Sequence, residues 1–435
     1  MSGVNLRNIA LFAALGIALA MVWNFQSPTL ALTIINMGLI SAIMALGVNM
    51  MWGYAGLFNV GIMGFTAVGG LAAVLVAMPP VPDAWRAGGF GAIFGLMIGA
   101  ATIFAAVILW RRMAPGRLRS LALVAVLLGG WTLNRMVFVP AVDAIEAVNP
   151  ASEGYLGGLG LPVLLAWPVG ALLAAGAAWM VGKVSLGLRS DYLAIATLGI
   201  SEILISILRN EAWLARGVKN VAGIPRPVPS PVEMRQQDWV VNLAGTLGRS
   251  VNETAVILVQ LSYATLFVIV LAILIWLAEK ALNSPWGRMM RAIRDNETAA
   301  RAMGKDVTRR HLNIFVLGSA VCGLAGAMMV TLDGQITPTS YEPLRFTFLI
   351  WVMVIVGGSG NNWGAVLGGM LIWFLWVQVE PAGRWLIDVL TLWLGDDSAL
   401  RAHLMANAAH MRLLTMGVAL LLVLRFSPRG LIPER

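Results

Sequence analysis

The sequence predicts an all-α fold, a polytopic transmembrane helical bundle of about ten spans plus a re-entrant or broken-helix pair. Three observations predict it. The 435-residue chain is 59% hydrophobic and only 12% charged, with a mean hydropathy of +0.81, against about 45–50% apolar residues in a soluble domain. Apolar runs of about 18 residues or more recur along its length, which is what a helix needs to cross roughly 30 Å of hydrocarbon. The short alternating strands of a membrane β-barrel are absent.

Taken in order, the spans fall at 9–24, 28–50, 60–78, 89–110, 118–139, 163–183, 190–208, 254–279, 312–332 and 411–425. The opening residues resemble a signal peptide, with Arg7 ahead of an apolar core and Ala18 and Ala20 as a cleavage pattern. A second apolar run begins at Thr29, so the reading is an uncleaved first span. The apolar region 347–379 is interrupted by VGGSGNNWG at 356–364, whose glycines and asparagines suit two half-helices meeting at a non-helical turn.

Charge placement tests this list. The net charge is +9, and the basic residues gather at 111–119, 183–189, 280–310 and in the tail 425–435. With Arg7 inside, all four stretches land on one face, provided 347–379 enters and leaves on the same side; this is the positive-inside pattern of a multi-pass protein with both termini cytoplasmic. It explains the charge without nucleic acid. Two longer polar segments, 209–253 and 380–410, then lie outside. IPRPVPSPVEM at 224–234 is too rich in proline for a helix and is expected as an extended surface loop. LRAHLMANAAHM at 400–411 has helical periodicity and suits a surface helix. Cys322 has no second cysteine to pair with, and His311, His403 and His410 lie apart without carboxylates beside them, so no metal site and no cofactor is expected.

Four groups of residues invite a functional reading. Glu202 lies near the middle of a span, where a carboxylate must face protein or water; it either lines a translocation route or bonds a neighbouring helix. Asn59 and Gly61, within a glycine-rich stretch that also holds Gly53, Gly56 and Gly64, either open the backbone to a polar ligand or let helices approach. Gly357, Gly358 and Gly360 precede two asparagines and suit a half-helix end beside a path. The stretch 280–311 carries eight basic and three acidic residues. Within it SPWGRMMRAIRDNETAARAMG reads as a short amphipathic helix, with Ile293, Ala300 and Met303 or Gly304 near one face turned to another protein; a solvated topology-fixing loop is the alternative.

TAARAMG at 298–304, followed by nine residues and Ile314, resembles the cytoplasmic-loop signature of ABC-importer permeases. The family's glutamate would fall at Thr298, with Glu297 one place early, and Val316 and Leu317 stand where Leu-Pro is usual. LRSDYLAIATLGISEI at 188–203, GLAGAM at 323–328, VGGSGNNWGAVLGG at 356–369, YAGLFNVGIMGF at 54–65 and the tail LRFSPRGLIPER resemble the LivM-type permeases of branched-chain amino-acid ABC transporters. Asn59, Val60, Gly61 and Ile62 replace a Ser-Leu-Gly-His run frequent in that family, and 84–165 reads as an inserted helical hairpin.

The resemblance implies a single transmembrane permease domain over 1–435 in the inner cell membrane, with 280–311 as its cytoplasmic coupling loop. It implies that Arg294, Glu297, Ala299, Ala300 and Gly304 couple to an ATP-binding subunit. It also implies partners: two ATP-binding subunits, a second permease subunit in a heterodimer, and an external solute-binding protein. No P-loop occurs in the chain, since Lys183 and Lys305 after glycine are followed by Val184 and Asp306, so ATP hydrolysis is expected on another subunit. The cargo expected is a small, branched-chain amino acid, with urea or short amides as the alternative. A self-contained ion-coupled carrier would need more membrane carboxylates than Glu202, and an enzyme would need a catalytic constellation that the sequence lacks.

Overall fold

The computed structural model describes residues 6–392 and 398–434. Its principal helices are α1 (Leu6–Phe25), α2 (Pro28–Ala55), α3 (Ile62–Ala77), α4 (Phe90–Arg112), α5 (Arg117–Ala147), α6 (Ala166–Ser185), α7 (Ser190–Asn210), α8 (Val251–Leu282), α9 (Pro285–Asp295), α10 (Glu297–Ala302), α11 (Val307–Asp333), α12 (Pro343–Gly357), α13 (Asn362–Leu390) and α14 (Met411–Phe426). Ten helices among the described residues are long and apolar enough to cross a membrane, and α3 and α12 are shorter apolar helices. The chain is therefore a multi-pass membrane protein.

Helix α2 is the axis of the bundle. Over its most apolar window 83% of the residues are buried, and α1, α8, α9, α11, α12 and α13 all pack against it. Lipid tails offer no hydrophobic drive between helices, so close packing must hold them, and small residues line the crossings. A Cβ on Gly47 would sit 2.7 Å from the Gly318 carbonyl, and one on Gly369 would sit 2.6 Å from Ala42 Cα. Helix α11 meets α3 and α6 in the same way: a Cβ on Gly69 would lie 2.0 Å from the Gly323 carbonyl, and one on Gly323 would lie 2.3 Å from Ala174 Cβ.

Two breaks in helical backbone lie within this packing. Residues 56–61 separate α2 from α3, and residues 358–361 separate α12 from α13. The second break is the non-helical turn expected at 356–364. Its flanks differ from two half-helices: α12 has 15 residues and α13 has 29, so α13 at 1.5 Å per residue is about 43 Å long and able to span by itself.

The segment 82–147 forms a helical hairpin apart from the rest. Helices α4 and α5 zip together through Gly88, Gly91 and Gly95 against Phe138 and Ala141, and Asn134 donates to the Gly95 carbonyl at 2.6 Å. None of the most apolar window of α5 is buried. The hairpin joins the bundle at one end only, where Ala84, Ala92, Ile145, Leu156 and Trp213 form a small cluster.

At that same end Val221–Ala222 pairs with Gln335–Ile336 as a two-residue antiparallel ladder. The proline-rich loop at 224–234 is not extended throughout. Pro231–Arg235 is a helical turn, because Pro231 occupies the first helical position, where no amide hydrogen is needed, and Ser230 and Glu233 form a capping box. The helical periodicity at 400–411 appears as an unburied helix, Ala399–Ala406.

Because backbone stands where a Gly69 side chain would go, Gly69→Leu should lower the stability of detergent-purified protein by about 1–3 kcal/mol. Thermal melting checks this, with Gly176→Leu, which faces open space, expected to melt like the unmodified chain.

Candidate functional site

Residues 284–304, read from sequence as one amphipathic helix, are two helices. Asn296 leaves helical geometry at φ −154° and its side chain accepts from the Ala299 amide at 2.9 Å, so it caps α10 and divides the stretch. The division separates the two faces. On α9, Gly287, Met290 and Ile293 are buried against the bundle. On α10 no residue is buried; Glu297 and Ala299 are exposed, Ala300 is half-buried, and Met303 just beyond is 78% exposed. Glu297 pairs with Arg301 at 2.6 Å across one turn. Gly304 ends the segment at φ +73° with open space around it, the left-handed geometry that glycine adopts without cost after a helix.

Arg294 faces the other way. Its guanidinium donates to the Gly53 carbonyl and, at 2.8 Å, to the Glu434 carboxylate. Gly53 lies in the last turn of α2, whose carbonyls have no acceptor role left inside the helix. That helix closes at Gly56 in the left-handed conformation, with amides 56 and 57 returning to Trp52 and Met51. Burial alone would weaken the Arg294 charge, but the paired Glu434 and Asp295 carboxylates outweigh it and raise its pKa above the ordinary arginine range. The arginine is thus a cationic cap on α2 delivered by α9.

Around this tie lies a buried polar network that no reading of the sequence anticipated. Asn49 accepts from the Gly360 amide at 2.8 Å and donates to Asn362 at 3.3 Å. Tyr54 donates to the same Asn362 oxygen at 3.2 Å, and Asn362 donates onward to Glu279 at 3.1 Å. The one sequence signal was Asn49 in the middle of an apolar run, since a buried amide must be paired.

The glycines of the second break are closely packed, and the Gly360 amide joins this network. The tail residues Leu431 and Ile432 donate their amides to the Val356 and Gly357 carbonyls at 2.9 and 2.8 Å. A Cβ on Gly358 would lie 2.2 Å from the Ile432 carbonyl, and one on Gly360 would lie 2.7 Å from Glu434. A Cβ on Gly357 would lie 2.0 Å from the Gly364 carbonyl. Gly358 and Gly360 therefore admit the C-terminal tail, which caps the end of α12, and Gly357 admits the first turns of α13.

Asn59 and Gly61 start α3. The Asn59 side chain accepts from the Gly61 amide at 2.8 Å, and its carbonyl accepts from Trp351 Nε1 at 3.1 Å. Thr197 and Ser201 on α7 accept from the Val60 and Gly64 amides at 3.0 and 2.8 Å, satisfying groups that a helix start leaves free. Glu202 is next in sequence but points away from this contact. It is exposed on the outer face of α7 with Ile195, Gly199 and Ser206, and has no hydrogen-bond or ion-pair partner among the described residues. The sequence-derived path residues are not brought together: Asn59 and Gly61 lie at the α3 start, Gly357, Gly358 and Gly360 at the second break, and Glu202 on an outer face.

Comparison with known proteins follows the same lines. The family model described as branched-chain amino acid transport system / permease component matches residues 30–424. The chain is similar to the high-affinity branched-chain amino acid transport system permease protein LivM of Escherichia coli (strain K12), 29% identical over 233 residues that cover 53% of each chain. It is similar to a probable branched-chain amino acid transport permease protein LivM of Methanocaldococcus jannaschii, 27% identical over 300 residues, covering 68% of this chain and 73% of that one. It is also 27% identical over 207 residues to the permease protein LivH of Escherichia coli (strain K12), covering 47% and 61%. The chain thus spans about half the length of the Escherichia coli LivM protein that it matches. No solved structure matches.

Arg294→Ala removes the cap on α2 and leaves Glu434 half-buried without its partner. It should cost about 1–3 kcal/mol of stability, read as a lower melting temperature of the purified chain; an unchanged melting curve means the tie holds nothing.

Proposed function

The chain belongs to the family of permease components of branched-chain amino acid transport systems, and from that premise we propose that it is the membrane subunit of an ATP-driven importer of branched-chain amino acids. The observation that carries the reading is the contrast between α9 and α10. One anchors through Arg294 to the end of the central helix, and the other leaves Ala299, Met303 and Gly304 exposed beside it. A partner gripping the exposed piece would move α2 directly.

With no P-loop in the sequence, that partner is an ATP-binding subunit, and two of them serve a pair of permeases. The four basic stretches set the end that carries Arg294 on the cytoplasmic side of the inner membrane, with both chain termini there. An external solute-binding protein meets the opposite end. Likeness to relatives called both LivM and LivH supports two different permeases in one transporter.

Glu202 supports the second permease as a neighbour. A carboxylate facing lipid near the centre of a span is costly, by about 2.5–3.5 kcal/mol on insertion scales for Asp, Lys and Arg, so protein or water must cover it. A route between two permeases, with Glu202, Gly199 and Ser206 along one wall, answers that cost. Arg294, with Gly53, the tail and the α12–α13 turn, acts behind the coupling surface, while Glu297, Ala299, Ala300 and Gly304 form the surface itself. The conformational cycle changes no covalent bond in the cargo, so the subunit is a transporter part and not an enzyme.

Two measurements test this. Ala300→Glu combined with Gly304→Glu should reduce cellular leucine uptake to background while the protein still inserts in the membrane; normal uptake removes the docking role. Glu202→Gln should slow uptake without loss of the protein from the membrane, whereas unchanged kinetics would return Glu202 to a merely tolerated position.

A further inference from the structure

The end of the bundle that carries Arg294 holds a cavity of about 990 Å³. It lies between two helices, α1 and α8, that both pack on α2 and α13. Its floor is the polar network, with Tyr54 and Asn362, and its sides are Ile9 and Phe12 from α1 and Leu282 from α8. Two charged groups look into it without an ionic partner. Arg291, half-buried on α9, makes no hydrogen bond or ion pair among the described residues. Among the described residues Glu279 accepts only from the neutral amide of Asn362. Glu434 also lines the cavity, but Arg294 holds it.

Membrane depth narrows the occupant. Trp276 lies under the Lys280 ammonium at 4.8 Å on α8, and Trp363, half-exposed, meets Phe12 edge-on at 6.2 Å. Tryptophans and lysines of this kind mark the level of lipid headgroups. A cleft at that level in which Arg291 and Glu279 have no ionic partner among the described residues, with an apolar wall on spanning helices, fits a zwitterion joined to acyl chains.

We propose that this cavity is a binding site for an aminophospholipid headgroup, its phosphate on Arg291 and its primary ammonium on Glu279, with acyl chains along Ile9, Phe12 and Leu282. The carboxylate can accept hydrogen bonds from a primary ammonium and not from a trimethylated one, so the site distinguishes phosphatidylethanolamine from phosphatidylcholine. Such charge-assisted bonds correspond to about tenfold in binding. The inference rests on the cavity and its membrane level and is independent of the transport reading.

The test uses the full chain, delipidated in detergent and examined by native mass spectrometry with equal amounts of dioleoylphosphatidylethanolamine and dioleoylphosphatidylcholine. The ethanolamine lipid should be retained up to about tenfold better. Glu279→Gln, which keeps an acceptor for Asn362, should erase the preference, and Arg291→Gln should weaken retention of both lipids. Equal retention of the two lipids by the unmodified chain overturns the site, as does an unaltered preference in Glu279→Gln that melts normally. If that variant does not fold, Arg291→Gln decides: undiminished retention overturns the site. Displacement of the bound lipid by millimolar leucine would also overturn it, by assigning the cavity to a soluble amino acid.

Discussion

A helix that ends in buried backbone leaves carbonyls without donors of its own, and the central helix of this bundle ends that way at Gly53 to Ala55, just before the exposed Gly56. One guanidinium, from Arg294, meets the requirement at the Gly53 carbonyl. Its position has mechanical meaning because the arginine is carried by a helix at the surface and also grips the C-terminal tail. Surface segment, bundle axis and tail are therefore joined at one atom group. Any displacement of α9 must either move the end of α2 or leave a buried carbonyl and a carboxylate without partners.

The same accounting explains the two breaks in the membrane region. Irregular backbone is tolerated there only where protein supplies the missing bonds. At the first break the donors of α3 are met by Asn59 and by hydroxyls of α7. At the second, the carbonyls ending α12 are met by amides of the tail, and the Gly360 amide is met by Asn49. Glycines at these places are explained by backbone lying where side chains would go. Glu202 on α7 is exposed and has no partner among the described residues.

The hairpin of α4 and α5 shows the opposite regime. Its glycines let two helices close on each other, and the remaining faces stay apolar and unburied. It is held by a small cluster and two hydrogen bonds at one end, from Trp85 to the Leu156 carbonyl and from the Trp213 amide to Glu146. It takes no part in the packing of the central helices on α2.

By itself the sequence determined the helical membrane class, nine of the ten expected spans, the break at 356–364 and the charged segment with its family signature, while the run at 60–78 is the shorter helix α3 and α13 is long enough to span alone. These are local properties: hydropathy summed over a span, or spacing within one turn, needs no knowledge of neighbours. The direction in which each side chain faces was decided only by tertiary structure. Arg294 and Glu434 are 140 residues apart, and Asn49 and Asn362 are 313 apart. Asn296 split one expected helix into a buried half and an exposed half, which sent Ile293 inward and left Ala299 and Gly304 outside. Whether a polar residue in an apolar span serves a path or a neighbouring backbone depends on which helices close around it, and that is a property of the assembled bundle.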